Sequence, residues 1–112
     1  MSAQKVIVAG WWTVDPDRRD EAVESFKDLV LRARGTPGCL DLAITADPVD
    51  STRINIFEFW QSERHLNSWR AVSRPPKRIT RTLRLEVQKH VIQHSGPPFA
   101  KRQAKRRSST RR

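Results

Sequence analysis

Apolar side chains change their period several times along the chain, and each change marks an element. In "QKVIVAGWWTV" (4–14), β-branched Val6, Ile7 and Val8 lead into Trp11 and Trp12, which is strand composition. Asp15 before Pro16 then opens a helix whose Ala22, Val23, Phe26, Leu29, Val30 and Ala33 recur at helical spacing. Gly35 and Pro37–Gly38 stop it. "CLDLAITA" (39–46) alternates, with Leu40, Leu42, Ile44 and Ala46 on one face and Asp41, Ala43 and Thr45 on the other. "DPVDST" (47–52) is turn chemistry, and "RINIFEFWQ" (53–61) completes a hairpin. Ser62 caps a short helix in which Leu66, Trp69 and Val72 recur every three residues, and "SRPP" (73–76) breaks it. Residues 77–85 carry at most a helical turn, and "LEVQKHVIQH" (85–94) reads as the last strand before "SGPP".

The order β-α-β-β-α-β predicts a ferredoxin-like α+β fold, a four-stranded antiparallel sheet with both helices on one face. Such a sheet leaves its other face bare. Here strands one and three are apolar on both sides, with Ile54, Ile56 and Trp60 sharing one face and Phe57 and Phe59 the other. Trp11 and Trp12 must likewise point in opposite directions. One indole is expected to face the helices and the other a second copy of the sheet, which predicts a homodimer, a dimeric α+β barrel. Ile56 is assigned to the inter-subunit side.

Composition adds a division of charge. The net charge of +10 is concentrated in "AKRQAKRRSSTRR" (100–112), which holds seven cations and no acid; the rest has 15 cations against 12 acids, or +3. This predicts a domain at 1–99 and a disordered basic tail at 100–112. The tail could meet nucleic acid weakly through phosphates, yet it offers no stacking aromatics for base recognition. Cys39 is the sole cysteine, so no internal disulfide is available and a reducing compartment fits. No apolar run approaches the roughly 20 residues of a membrane span, and the N-terminus lacks a signal-peptide pattern. A cytoplasmic protein without membrane partners is expected.

"ADPVDSTRINIFEFWQSERHLNSWRA", with "PGCLDLAI" before it and "SGPPF" at 95–99, resembles the antibiotic biosynthesis monooxygenase (ABM) domain family. The resemblance covers roughly 5–99. It implies a dimeric ferredoxin-like barrel that oxygenates polycyclic aromatic compounds with molecular oxygen and neither metal nor flavin. Such chemistry needs an apolar pocket, a polar group to steer or deprotonate a phenol, and protection from bulk water. Asn55, Trp60 and His65 resemble the family's catalytic positions, with Trp11, Trp12, Phe57, Phe59 and Trp69 as candidate pocket walls. Structural roles stand beside these: Trp60 as core or interface, Asn55 paired with backbone, His65 as a solvated helix-start residue. Trp60 alternates onto the face opposite Asn55 unless a bulge intervenes.

Other chemistries find less support. Heme-degrading relatives carry an iron-ligating histidine where Arg70 and Ala71 stand here. His90 and His94 would lie about 13 Å apart along a strand, too far to share a metal. Cys39 is most simply a small strand-start residue. Three classes of function remain open: a cofactor-independent monooxygenase acting on an aromatic or quinol-like molecule, a non-catalytic dimer binding a small hydrophobic ligand, and a basic-tailed interaction protein.

Overall fold

The structure, a computed structural model, describes residues 3–100. The expectations for the basic tail fall on 101–112, outside the described residues apart from Ala100. The elements are β1 (Val6–Thr13), α1 (Arg19–Ser25), α2 (Lys27–Arg34), β2 (Cys39–Ala46), β3 (Arg53–Trp60), α3 (Glu63–Val72) and β4 (Arg84–Val91). The sheet runs β2-β3-β1-β4 with every pairing antiparallel. This is the α+β, ferredoxin-like arrangement that the pattern predicts.

The first helical stretch differs from the expectation by being broken in two. Phe26 (φ −88°, ψ −2°) closes α1 and opens α2, and its N–H reaches the Val23 carbonyl in a tightened turn. The kink aims the Phe26 ring edge-on at Trp12, with centroids 5.8 Å apart. Asp15 caps a preceding turn rather than the helix, accepting the Asp17 N–H at 2.9 Å. From α1, the Arg19 guanidinium donates to the carbonyls of Asp47, Asp50 and Arg53, which pins the β2–β3 turn to the helix layer.

Register decides the faces. Trp60, Glu58, Ile56 and Ile54 of β3 lie opposite Val6, Val8, Gly10 and Trp12 of β1, so these residues line one side of the sheet. That side meets the helices: Val6, Val8, Leu42 and Trp60 are buried with Leu29, Ala33, Leu66 and Trp69. A smaller cluster joins Ile54 to Val14 and Ala22. Burial of these side chains supplies most of the folding drive. The assignment of Ile56 to the inter-subunit side is therefore corrected, since it shares the helix face with Ile54 and Trp60. The open face carries Ile7, Ala9, Trp11, Asn55, Phe57 and Phe59 instead.

Two local departures shape the sheet. Leu40 is bulged out between Cys39 and Asp41 and is 44% exposed, so it leaves the stripe that alternation gave it. Gly10 (φ +151°) lies so close to β4 that a Cβ there would sit 1.9 Å from the Glu86 carbonyl oxygen. Only glycine lets β1 and β4 pair at that point.

Residues 73–83 form a strap without regular secondary structure rather than a helical turn. The Arg32 guanidinium donates to the Ser73 carbonyl (2.7 Å) and the Arg74 carbonyl (3.3 Å) at one end. The Leu83 N–H donates to the Thr13 carbonyl at the other, at 2.8 Å. Among the described residues no helix is long and apolar enough to cross a membrane.

Candidate functional site

No helix covers the Trp12 end of β4, and the strap takes that place. Leu85 is the β4 partner of Trp12 in register, and with Trp12 it forms the sheet wall of a cavity of about 350 Å³. Ala22, Ser25 and Phe26 form the helix wall, and Pro75 to Thr80 with Thr82 form the strap wall. Pro75 and Pro76 stiffen the strap where it leaves its Arg32 tether. Between its two ties, residues 75–82 make no backbone–backbone hydrogen bond with other described residues.

The walls are mostly apolar. Ser25 is turned away, its Oγ donating to the Ala22 carbonyl at 2.6 Å. The charged wall residues are Lys77 and Arg78, and no carboxylate lines the space. An aromatic slot beside two cations can hold a flat ring and lower the cost of a negative charge on it.

The structure does not bring Asn55, Trp60 and His65 to one cavity. Asn55 lies on the open sheet face with both ends of its amide engaged: Nδ2 donates to Asp47 Oδ1 at 2.9 Å and Oδ1 accepts from Arg53 Nε at 2.7 Å. Trp60 is fully buried and stacks on Trp69 at 6.3 Å. His65 opens α3, where its Nδ1 lies 2.7 Å from Ser62 Oγ. That oxygen also accepts the His65 backbone N–H, so Ser62 holds both the start of α3 and the imidazole ring. The ring packs on Gly38, where any Cβ would lie 2.2 Å from it. His65 borders a separate, more polar recess with Gln4, Gln61, Glu63 and Arg64.

Of the candidate wall residues, Trp12 lines the cavity under the strap. Trp69 is core, while Trp11, Phe57 and Phe59 lie on the open face. There Trp11 has the Arg53 and Arg84 guanidinium carbons 4.8 and 5.3 Å from its ring centre. No three His, Cys, Asp or Glu side chains gather as a metal site among the described residues.

Several contributors escaped the sequence reading. Lys77 and Arg78 sit in a stretch without periodicity, and Phe26 looked like ordinary helix stripe. Glu58 is an acid on the helix face, half-buried, accepting the Trp60 indole N–H at 3.0 Å. Burial pushes its carboxyl above the ordinary range, opposed by that N–H and by Arg70. Strict alternation from Ile54 to Trp60 was the signal that could have found it. The Cys39 thiol is also pushed up, by burial first and then by Asp41 and Glu58, which disfavours a nucleophilic thiolate.

With this geometry in place, comparison with known proteins is decisive for ancestry. The profile of the antibiotic biosynthesis monooxygenase family matches residues 5–73, from β1 to the end of α3. The chain belongs to this family. As an ABM protein it shares its fold with a Bacteroides thetaiotaomicron protein described as a possible oxidoreductase (TM-score 0.63, 14% identity, 81% of this chain and 100% of that one). A candidate antibiotic biosynthesis monooxygenase from Bacillus cereus gives a TM-score of 0.61 at 15% identity, over 88% of this chain and all of that one. A corresponding Chloroflexus aurantiacus protein gives 0.58 at 20% identity, over 83% and 97%. No curated protein matches the sequence. The family match ends where the strap begins, so the cationic wall of this ABM domain lies beyond it.

One titration tests the Asn55 placement. Asp47 is held down to about 2, first by the Asn55 amide and then by the N–H groups of Asp50 and Val49. A depressed carboxylate contributes stability in full above its unfolded value, near 3.8, and loses it as pH falls through about 2. In Asn55→Ala the Asp47 carboxyl, followed by carbon NMR, is expected to titrate nearer that ordinary value. An unchanged midpoint would mean that the Asn55 bond does not hold it.

Proposed function

We propose that this ABM domain oxygenates a small aromatic, quinol-like compound in the cavity under the strap, using molecular oxygen without an external reductant. The supporting observation is the pairing of Trp12 and Phe26 with a cationic wall in a space of about 350 Å³. The aromatic walls hold the ring, and the Lys77 and Arg78 charges favour loss of the phenol proton. The phenolate delocalises charge onto ring carbon, which can pass electrons to oxygen. Where that carbon carries two hydrogens the balance closes: it becomes a carbonyl, one oxygen atom is retained, and the other leaves as water. Asn55, Trp60 and His65 serve this reading as framework, fixing the β2–β3 turn, the core and the start of α3.

A second reading is favoured by one specific observation. The cavity wall lacks a carboxylate or histidine to take the proton, which suits a domain that binds a small hydrophobic molecule without converting it. In either case we propose that a second copy covers the open sheet face. Ile7, Ala9, Trp11, Phe57 and Phe59 form an apolar surface there that a monomer would leave in water.

Oxygen consumption with a panel of hydroxylated anthrones and naphthols separates these readings. Turnover is expected, and Ile79→Trp, which fills the cavity from the strap, is expected to lower it at least about tenfold with far-ultraviolet dichroism unchanged. Binding without oxygen uptake would favour the second reading, and neither binding nor uptake would sink both. For the assembly, light scattering of Phe57→Lys is expected to give half the wild-type mass. A wild-type chain that already has the mass of one copy would overturn the dimer.

A further inference from the structure

The strap supplies the cavity with charge as well as closure, and its charge has one sign. Lys77 and Arg78 line the space, and neither forms an ion pair with any described residue. Other cations of the described chain also lack such a pair, Arg81 of the strap among them; what sets Lys77 and Arg78 apart is that they line the cavity. Both are exposed at the mouth of the cavity, so they meet an anion as solvated cations whose attraction is screened by salt. Across the cavity stand Trp12 and Phe26, which present ring surface and no competing charge.

We propose that the cavity selects a small aromatic carboxylate, its ring against Trp12 and Phe26 and its carboxylate on Lys77 and Arg78. This rests on the reading of the cavity as the ligand site and adds the chemical class of the ligand. A volume of about 350 Å³ is near the lower end of the roughly 300–1,000 Å³ of ligand pockets and suits two fused rings. Tethered at Arg32 and Thr13 but without backbone hydrogen bonds over 75–82, the strap can yield to a ligand and then settle on it. The two cations ride on this segment, so a bound carboxylate would tie it to the aromatic wall.

Calorimetric titration of the full chain with 2-naphthoate and with the neutral 2-naphthalenemethanol tests this. Naphthoate is expected to bind about fivefold tighter at low salt, the combined worth of two exposed charge pairs. Lys77→Gln/Arg78→Gln is expected to abolish that preference while leaving the alcohol's affinity unchanged. Arg81→Gln, a strap cation outside the cavity wall, is expected to retain it. Equal binding of the two compounds by the wild type would overturn the carboxylate selection and leave the cavity standing as a ligand site. A preference that survives the double variant would overturn it too, by placing the anion elsewhere. If neither compound binds, or if Ile79→Trp leaves both affinities unchanged, the cavity itself is not the site and both readings fall.

Discussion

Two adjacent indoles on one strand cannot share a face, and β1 carries Trp11 and Trp12 near the end of a four-stranded sheet. Each needs its own cover. On the Trp12 side the helices pack over β2 and β3 and on Val6 and Val8 of β1, and at β4 they reach Val87 and Lys89 but leave the Leu85 end uncovered. Trp12 therefore stands at the rim of the helix layer, packed by Phe26 on one flank and met by the strap on the other. A cavity forms there because helix packing ends before the sheet does. The Gly10 contact belongs to the same arrangement, since it brings β4 close enough to place Leu85 beside Trp12.

On the other side of the sheet the same alternation leaves Trp11 between two arginines, on the face it shares with Phe57 and Phe59 of the neighbouring strand. Arg53 is held by Asn55 and Asp47, which are tied into the hairpin turn by hydrogen bonds. That turn is in turn fixed by Arg19 from α1. The polar residues of this face thus form a braced rim around an apolar centre, as expected of a surface that meets another surface rather than a small molecule. The function proposed above divides the labour between the two faces, with the ligand under the helices and a second copy on the bare side.

The element order was legible because every strand and helix here carries its own period, and the caps and breakers at Ser62, Gly38 and Pro75–Pro76 agree with it. The side of the sheet taken by each residue set was only half legible. Alternation says that Ile54, Ile56 and Trp60 travel together; it does not say which layer covers them, and that depends on how the helices cross the sheet. The candidate trio failed to converge for a related reason. Asn55, Trp60 and His65 are near one another in sequence, yet they sit on the open face, in the core and at a helix start. The strap was hidden because a cavity wall without regular structure leaves no period to read, and its two cations looked like part of a generally basic chain. The break at Phe26 goes with its packing on Trp12, a contact between two elements that the helical period does not show.

The most direct measurement uses the four tryptophans as reporters. The chain would be labelled with 5-fluorotryptophan, its four fluorine resonances assigned by Trp→Phe substitution, and 2-naphthoate titrated in. With the ligand site on the helix side, the Trp12 resonance moves saturably while those of Trp11, Trp60 and Trp69 stay nearly fixed. Saturable movement of Trp11 with Trp12 unmoved would put the ligand on the open sheet face and contradict the division of the two faces.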